Sequence, residues 1–265
     1  MTIHRFIVAK QYIDEANARI TLTNPGQVHQ ITRVLRAKPK DTFELLDGDG
    51  NLYICILSQI TRNQVVAEIS SKKHEPEDTK RPKLNVVVAL LKGDQFEMTI
   101  QKLSEIGVNS ITPCLTAHSV VRLKENDLEK RYERWLSIAK EATEQSEGFY
   151  LPRLESLQNL DHILKDLAKK SNALNIILAE RKSSPPLLHL IRNGMHAQSA
   201  KELNLVVGPE GGFSDQEFEL AQKLEFKFAS LGKRVFKAGT AAITAAGAVN
   251  FYLDDMLFKR NIGTA

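Results

Sequence analysis

The residues best suited to chemistry lie near the C-terminus, in two glycine-containing loops that each follow a strand-like run. The apolar run Leu205–Val207 leads into the corner Gly208–Gly212, and a helix is predicted to begin at Ser214. The second loop, Leu231–Arg234, precedes a helix of small side chains that is predicted to open at Thr240. Glycine has no Cβ, so main-chain groups in such loops can approach a small ligand closely. The pattern predicts a cofactor site built largely from backbone; the alternative is a pair of tight strand-to-helix turns.

The helix after the glycine corner carries a capping box at its start. The hydroxyl of Ser214 can accept a hydrogen bond from the amide of Glu217, while the carboxylate of Glu217 reaches back to the amide of Ser214. This arrangement fixes the helix start, so we interpret Glu217 as a structural residue rather than a ligand contact.

The elements that hold these loops belong to a chain of 265 residues, which is long enough for two domains. No apolar run approaches the roughly 20 residues that are needed to span a bilayer, and the N-terminal segment lacks the apolar core of a signal peptide. Cys55 and Cys114 are too few for a disulfide framework and lack metal-ligand spacing. We therefore expect a cytoplasmic protein without a metal site. The net charge of +4 favours an anionic partner only weakly.

The apolar pattern divides the chain at a charged, proline-punctuated segment. Residues 1–70 contain short alternating and β-branched runs and are predicted to form a small β-barrel domain. Residues 71–83 have the composition of a linker. Residues 84–265 alternate strand-like and helix-like runs, which predicts an α/β domain with a mainly parallel sheet covered by helices.

Several familiar motifs are absent from the sequence. There is no G-x-x-x-x-G-K-[ST] phosphate loop, and no G-x-G-x-x-G follows a strand. Asp47, Asp49 and Asn51 imitate the start of a calcium loop, but its sixth position is Leu52 and its twelfth is Ser58. We interpret this acidic segment as a hairpin turn.

Four segments of the chain, taken together and in their order along it, indicate its relationship to known proteins. The strongest is LVVGPEGGFSDQE, followed by LGKR and TAA; the others are VHQITRVLRAKPKD with LLDGDGNLY, KGDQFEMTIQKLSEIGVNSITP and RWLSIAKEATEQS. These segments, which span nearly the whole chain, resemble the RsmE family of S-adenosylmethionine-dependent methyltransferases that modify N3 of a specific uridine in 16S ribosomal RNA. The resemblance implies a PUA-like RNA-binding barrel followed by a SPOUT domain, an α/β fold whose C-terminal strands and loops form a trefoil knot. It also implies a homodimer with its active site at the subunit boundary.

The resemblance further implies that the two glycine-containing loops form the pocket for S-adenosylmethionine, contacting the adenosine largely through main-chain groups. The residues assigned to this pocket are Leu178, Gly208, Pro209, Glu210, Gly211, Gly212, Leu231, Gly232, Val235, Phe236, Ala238, Gly239 and Thr240.

Methylation of uridine N3 requires loss of the imino proton, so that the nitrogen lone pair can attack the methyl group in line. The sulfonium is already activated, so the protein mostly supplies alignment and desolvation. A cation near the uracil carbonyls would stabilise the developing negative charge, and Arg234 and Lys237 are the candidates. The proton acceptor could be Glu210, a backbone carbonyl or water.

A local basic run in the first domain is the candidate for RNA contact. Arg33, Arg36, Lys38 and Lys40 occur with no acidic residue until Asp41. Long cationic side chains suit phosphate contacts, and arginine adds bidentate geometry. The alternative is an ordinary solvated charged surface.

The chain departs from the family pattern at three polar positions. Lys237 and Gly239 stand where the family usually has arginine and glutamate, and Gly148 follows EATEQS where an arginine is usual. Glycine preserves close backbone approach, whereas lysine loses the bidentate geometry of arginine. Two alternatives to 16S methylation therefore stay open: a weakened or inactive RNA- or ribosome-binding protein of the same fold, and a SPOUT methyltransferase acting on a different RNA.

Overall fold

A computed structural model describes residues 4–119, 125–179, 184–198 and 200–262. The chain divides into two compact units, of which the first comprises Met1–Glu77 with Lys140–Leu151 and the second comprises Asp78–Ala139 with Pro152–Ala265. Within the described ranges, no helix combines the length and the apolar character needed to cross a membrane.

The first unit is built on a six-stranded sheet. Its strands are β1 (His4–Ile7), β2 (Ile13–Asp14), β3 (Arg19–Leu22), β4 (Thr42–Leu46), β5 (Asn51–Ile60) and β6 (Val65–His74), in the order β1-β4-β5-β6-β3-β2. β1 and β4 are parallel, and the other neighbours are antiparallel. Alternate residues of these strands, including Phe6, Phe43, Leu45 and Tyr53, form one buried core. The predicted β-rich first domain is confirmed.

The acidic segment between β4 and β5 is a hairpin turn, as predicted. The carboxylate of Asp47 accepts hydrogen bonds from the amides of Asp49 and Asn51, at 2.8 and 3.0 Å. Gly48 and Gly50 have φ angles of 74° and 94°, a conformation that glycine adopts without a steric penalty. The carboxylate of Asp47 is therefore occupied by the backbone of its own turn.

A short helical segment separates β3 from β4. Helix α1 (Pro25–His29) begins with proline after the N-cap Asn24, and it continues as a π-helical turn over Gln30–Val34. The basic run begins within this turn, at Arg33, and continues beyond it. β6 extends to His74, into the segment predicted as a linker.

The second unit is an α/β fold with a parallel sheet, as predicted. Its strands are β7 (Lys83–Ala89), β8 (Ser110–Leu115), β9 (Arg153–Leu154), β10 (Gln158–Asn159), β11 (Ala173–Leu178), β12 (Glu202–Val207) and β13 (Lys227–Ala229). Its helices are α2 (Gln95–Ile106), α3 (Glu125–Gln145), α4 (Leu160–Ala168), α5 (Leu187–Gln198), α6 (Asp215–Lys223) and α7 (Ala238–Ile262). The strand order is β10-β8-β7-β12-β11-β13, with β9 paired to β8. The last residues of α3, from Lys140, belong to the first unit.

The central strands of this sheet are buried, apolar runs joined by a row of polar side chains. Ser110, Asn85, Asn204 and Asn175 lie opposite one another on β8, β7, β12 and β11. Their side chains are linked by hydrogen bonds of 2.8, 2.9 and 2.7 Å. A shift of one strand would leave buried amides without partners, at a cost of about 1–3 kcal/mol each, so the row favours a single register.

Candidate active site

The two predicted glycine-containing loops lie at the carboxyl edge of the parallel sheet. In such sheets ligands bind beyond the carboxyl ends of the strands, where the loops gather. β11 ends at Leu178 and β12 ends at Val207, and a cavity opens beyond them. The cavity is lined by Leu178, Ala179, Val207, Gly208, Pro209, Glu210, Gly211, Gly212, Phe213, Phe218, Val235, Phe236, Ala238 and Ala241.

Most of the predicted cofactor residues therefore meet around one cavity. Four of them are not among its lining residues: Leu231, Gly232, Gly239 and Thr240. Gly232 and Thr240 are exposed, while Gly239 is buried within the first turn of α7. The apolar members Ala179, Phe213, Phe218 and Ala241 were not predictable as lining residues, because an apolar residue beside a strand or within a helix reads as core.

The glycine corner is shaped by contacts that leave little room for side chains. A Cβ placed on Gly208 would lie 3.0 Å from ring carbons of Phe213, and one placed on Gly211 would lie 3.1 Å from the Cβ of His118. Gly212 has a φ angle of 74°, and its amide donates to the carbonyl of Pro209 at 2.9 Å. The corner is a tight turn, and its backbone also faces the cavity.

The capping box that holds this corner is present, and its carboxylate has a further partner. Ser214 is the N-cap of α6 and accepts a hydrogen bond from the amide of Glu217. One oxygen of the Glu217 carboxylate accepts from the Ser214 amide at 2.7 Å, and the other accepts from the amide of Ala117 at 2.8 Å. Since Ala117 follows β8, the buried carboxylate ties the loop after β8 to the glycine corner.

His118 lies beside this corner and has no predictive signal in the sequence. Its Nδ1 lies 3.2 Å from the carbonyl oxygen of Gly212, and its side chain is exposed. A lone histidine in a loop belongs to no spacing pattern, so only the fold brings it to the edge of the cavity.

The opposite wall comes from the segment before α7. Val235 is 67% exposed although it lines the cavity, and Phe236 is partly buried. The candidate cations Arg234 and Lys237 flank these two residues and are themselves exposed. Among the residues the structure describes, neither side chain forms an ion pair, so both are available to an anion. Helix α7 begins at Ala238, two residues before the predicted start at Thr240.

Two of the three departures from the family pattern are packed against threonines. A Cβ placed on Gly239 would lie 2.9 Å from the Oγ1 of Thr99, a buried hydroxyl that donates to the carbonyl of Gln95. A Cβ placed on Gly148 would lie 2.9 Å from the Cγ2 of Thr143, which is also buried. Restoring the usual family side chains therefore requires these threonines to move.

Glu144, in the EATEQS segment, forms a hydrogen bond within the first unit. Its carboxylate accepts a hydrogen bond from the amide of Ile7 at 2.7 Å. Burial raises the pKa of Glu144 to about 7, with a smaller contribution from Glu141, and the Ile7 bond opposes the rise. The carboxylate therefore anchors the end of β1.

The predicted RNA-binding residues form an exposed cationic segment of the first unit. Arg33, Arg36, Lys38 and Lys40 are all exposed, and their side chains make no ion pair among the described residues. Arg36 and Lys40 have φ angles of 52° and 79°, so the backbone turns sharply at both positions.

Comparison with known proteins defines the class of this fold and site. A family model described as an RNA methyltransferase domain matches residues 78–250, and one described as an RNA methyltransferase PUA domain matches residues 22–70. The chain is therefore an RNA methyltransferase with a PUA domain preceding its catalytic domain.

The particular family follows from its relatives. Ribosomal RNA small subunit methyltransferase E of Synechocystis is 32% identical over 252 residues, which cover 95% of this chain and 78% of the relative. The Bacillus subtilis protein of the same name is 28% identical over 245 residues, covering 92% and 94%. The chain belongs to the family of ribosomal RNA small subunit methyltransferase E, the RsmE family.

Solved structures confirm the predicted fold. A putative methyltransferase from Legionella pneumophila, solved with bound S-adenosylmethionine, superposes with a TM-score of 0.79 at 26% identity, over 95% of this chain and 98% of that one. A ribosomal RNA small subunit methyltransferase E from Neisseria gonorrhoeae gives a TM-score of 0.77 at 24% identity, over 95% and 98%. The α/β fold is thus the SPOUT type, preceded by a PUA-like domain.

Proposed function

We propose that this protein transfers the methyl group of S-adenosylmethionine to N3 of a specific uridine in the 16S ribosomal RNA of the small subunit. The observation that carries the proposal is the cavity at the carboxyl ends of β11 and β12, walled by the glycine corner in a member of the RsmE family. S-adenosylmethionine supplies an activated methyl group when it is bound there.

The residues around the cavity fit this cofactor. Gly208 and Gly211 bring main-chain groups to the cavity surface, and even a Cβ there would crowd Phe213 and His118. Leu178, Val235 and Phe236 supply apolar surface for an adenine ring. We assign the cofactor to this cavity, with the remaining predicted residues of the two loops completing its surroundings.

We assign the stabilisation of the uracil to Arg234 and Lys237. Their exposed cationic groups flank Val235 and Phe236, which line the cavity. Deprotonation of N3 places negative charge on the uracil carbonyl oxygens, and a nearby cation lowers the energy of that anion. Glu210, a residue that lines the same cavity, is one candidate to receive the proton, beside a backbone carbonyl or water.

We assign RNA binding to residues 1–70, a linker to residues 71–83 and catalysis to residues 84–265. The exposed run Arg33, Arg36, Lys38 and Lys40 supports phosphate contacts by the first domain. We place the protein in the cytoplasm, where small subunits are assembled.

We also propose that the protein acts as a homodimer. Phe251 and Phe258 on α7 are 77% and 65% exposed, and Gly247 on the same helix has open space beside it. Since these residues are separated by four and seven positions, they share one helix face, and a second copy would remove that face from water. Light scattering should give twice the mass of one chain; the mass of a single chain would contradict the dimer.

Transfer of labelled methyl groups tests the proposed function. Purified protein is incubated with methyl-labelled S-adenosylmethionine and with small subunits from cells that lack the modification, beside an active homologue. We expect label in 16S RNA. No label from this protein, with label from the homologue, would favour an inactive RNA-binding protein; label only in another RNA would favour a different substrate.

A further inference from the structure

Two loops meet at the carboxyl edge of the sheet, and one of them carries an imidazole. The loop after β8, residues 116–119, is fixed to the glycine corner through the amide of Ala117, which donates to Glu217 at 2.8 Å. It is fixed again through Nδ1 of His118, which lies 3.2 Å from the carbonyl oxygen of Gly212. Within the loop, the amide of Thr116 donates to Oγ of Ser119 at 2.9 Å. His118 therefore sits on a segment that is tethered to the glycine corner at two neighbouring residues.

The contact with Gly212 determines the form of the imidazole. A carbonyl oxygen can only accept a hydrogen bond, so Nδ1 of His118 must carry the proton. In the neutral ring the lone pair is then on Nε2, which has no hydrogen-bond partner among the residues the structure describes. Catalytic histidines have the same arrangement, in which a hydrogen bond at one nitrogen leaves the other free to take a proton.

The imidazole is also adjacent to the cofactor cavity. Gly211 and Gly212 both line that cavity, and the Cβ of His118 lies 3.1 Å from where a Cβ of Gly211 would be. His118 is not itself among the lining residues, but its exposed side chain lies beside this wall of the cavity, next to where a base over the glycine corner would lie. Two carboxylates occur on the neighbouring segment, Glu210 in the corner and Glu217 in the capping box.

We propose that Nε2 of His118 accepts the N3 proton of the target uridine, an inference that rests on the proposed function. As the N3–H bond breaks, its electron pair stays on N3 and forms the new bond to the methyl carbon. The bond between that carbon and sulfur breaks, and its electrons remain on the sulfur of S-adenosylhomocysteine. The imidazolium then releases its proton to water, so the net products are methylated uridine, S-adenosylhomocysteine and one proton.

Imidazole is better suited to this step than the two carboxylates. A general base works best when its basicity approaches that of the group it deprotonates, and imidazole is a stronger base than a carboxylate. Glu217 is also occupied, because its two oxygens already accept from Ala117 and Ser214.

Substitution by asparagine separates proton transfer from loop positioning. The Nδ2 of asparagine can replace Nδ1 as donor to Gly212, but the side chain has no basic nitrogen. We expect His118→Asn to lower kcat by at least about 100-fold, the size typical of lost general-base catalysis. KM for S-adenosylmethionine should change less than threefold, and added imidazole should restore part of the kcat of His118→Ala. His162→Asn, at an exposed histidine of α4, is the matched control and should behave as wild type.

The outcomes separate the two proposals. If the wild-type protein methylates no uridine, the proposed function itself fails before any variant is compared. If the wild type is active and His118→Asn retains its kcat, the inference about His118 is overturned, and the tether to Gly212 is its only role. Failure of imidazole to restore any activity to a folded His118→Ala that still binds cofactor would also overturn it.

Discussion

At the glycine corner, Gly208 and Gly211 have no side chain, so their main-chain groups line the cavity directly. The ring of Phe213 and the Cβ of His118 would lie 3.0 and 3.1 Å from a methyl group at these positions, so each neighbour would have to shift slightly. Because Phe213 also lines the cavity, a side chain at position 208 would displace part of the cavity wall.

Gly208→Ala therefore tests whether this cavity holds the cofactor. We expect the variant to remain folded and to bind S-adenosylhomocysteine at least about tenfold more weakly, equal to 1.4 kcal/mol. Isothermal titration calorimetry measures the change, and Phe213→Leu in the same chain should recover part of it by freeing space. Unchanged affinity in a folded Gly208→Ala protein would place the cofactor elsewhere.

Glu144 controls a pH dependence of stability. Its pKa rises from an ordinary value of 4.5 to about 7 in the folded protein, chiefly through burial. Its contribution to stability is fully present below pH 4.5 and is lost as pH rises through about 7, because ionisation is harder in the folded state.

Glu144→Gln should remove this dependence while keeping an oxygen for the Ile7 amide. At about 1.4 kcal/mol per pKa unit, the difference in unfolding free energy between variant and wild type should rise by at most about 3 kcal/mol between pH 4.5 and 8. Urea unfolding across that range gives the difference curve. A flat curve would show that Glu144 ionises normally.

Sequence could predict the residues of the glycine corner, because GPEGG between a strand and a capping box is a local pattern. It could not predict His118 or the second partner of Glu217. Both depend on β8 and β12 flanking β7, which brings loops about 90 residues apart in the chain to one edge.

At the scale of elements, one buried carboxylate joins a helix start to a neighbouring loop. The Glu217 side chain holds the first turn of α6 and the loop after β8 together, so the capping box has a second structural role. Removal of that carboxylate should loosen two walls of the site at once.

Glu217→Ala should lower stability more than Ser214→Ala and should also weaken cofactor binding. Loss of the Ser214 cap alone costs about 1 kcal/mol, whereas loss of Glu217 removes the acceptor of two amides, those of Ala117 and Ser214, at about 1 kcal/mol for each hydrogen bond. Thermal unfolding and cofactor titration of both variants measure the contrast. If the two substitutions lowered stability and cofactor binding equally, Glu217 would act only as part of the helix cap.

Long elements with clear periodicity were predictable, and short ones were not. Helix α2 ends at Gly107 with a φ angle of 82°, and α6 begins after Ser214, as their sequence signals predict. β9 and β10 have two residues each, too few to show an alternating pattern. The trefoil knot remains a prediction, because no local pattern encodes the threading of a chain.

At the scale of the whole molecule, we expect the cationic segment of the first unit, if it contacts RNA as proposed, to set how RNA affinity depends on salt. Each phosphate contact on single-stranded RNA contributes about 0.7 to the slope of log affinity against log salt. Arg33, Arg36, Lys38 and Lys40 carry four exposed charges without carboxylate partners among the described residues.

Replacing all four by alanine should weaken binding to 16S RNA and reduce that slope by up to about 3. The matched control removes four lysines that already pair with carboxylates, at positions 102, 169, 170 and 259. Filter binding between 50 and about 300 mM salt compares the two variants. An equal loss of slope in both would show a nonspecific effect of net charge.

The sequence pattern does not predict which segments of the chain make up each of the two units. Residues 140–151 return to the first unit, where Phe149 and Leu151 pack on Ile7 and Leu46. The sequence of an amphipathic helix such as α3 indicates which of its faces is apolar. It does not indicate that the two ends of the helix belong to different units.

Nucleoside mapping of methylated 16S RNA tests the central claim most directly. Small subunits from cells lacking the modification are treated with the purified protein and S-adenosylmethionine, then digested and analysed by mass spectrometry. We predict 3-methyluridine at a single position, and less of it with the Gly208→Ala protein at a limiting concentration of S-adenosylmethionine. Methylation at another atom or base, or no product beside an active homologue, would contradict the account.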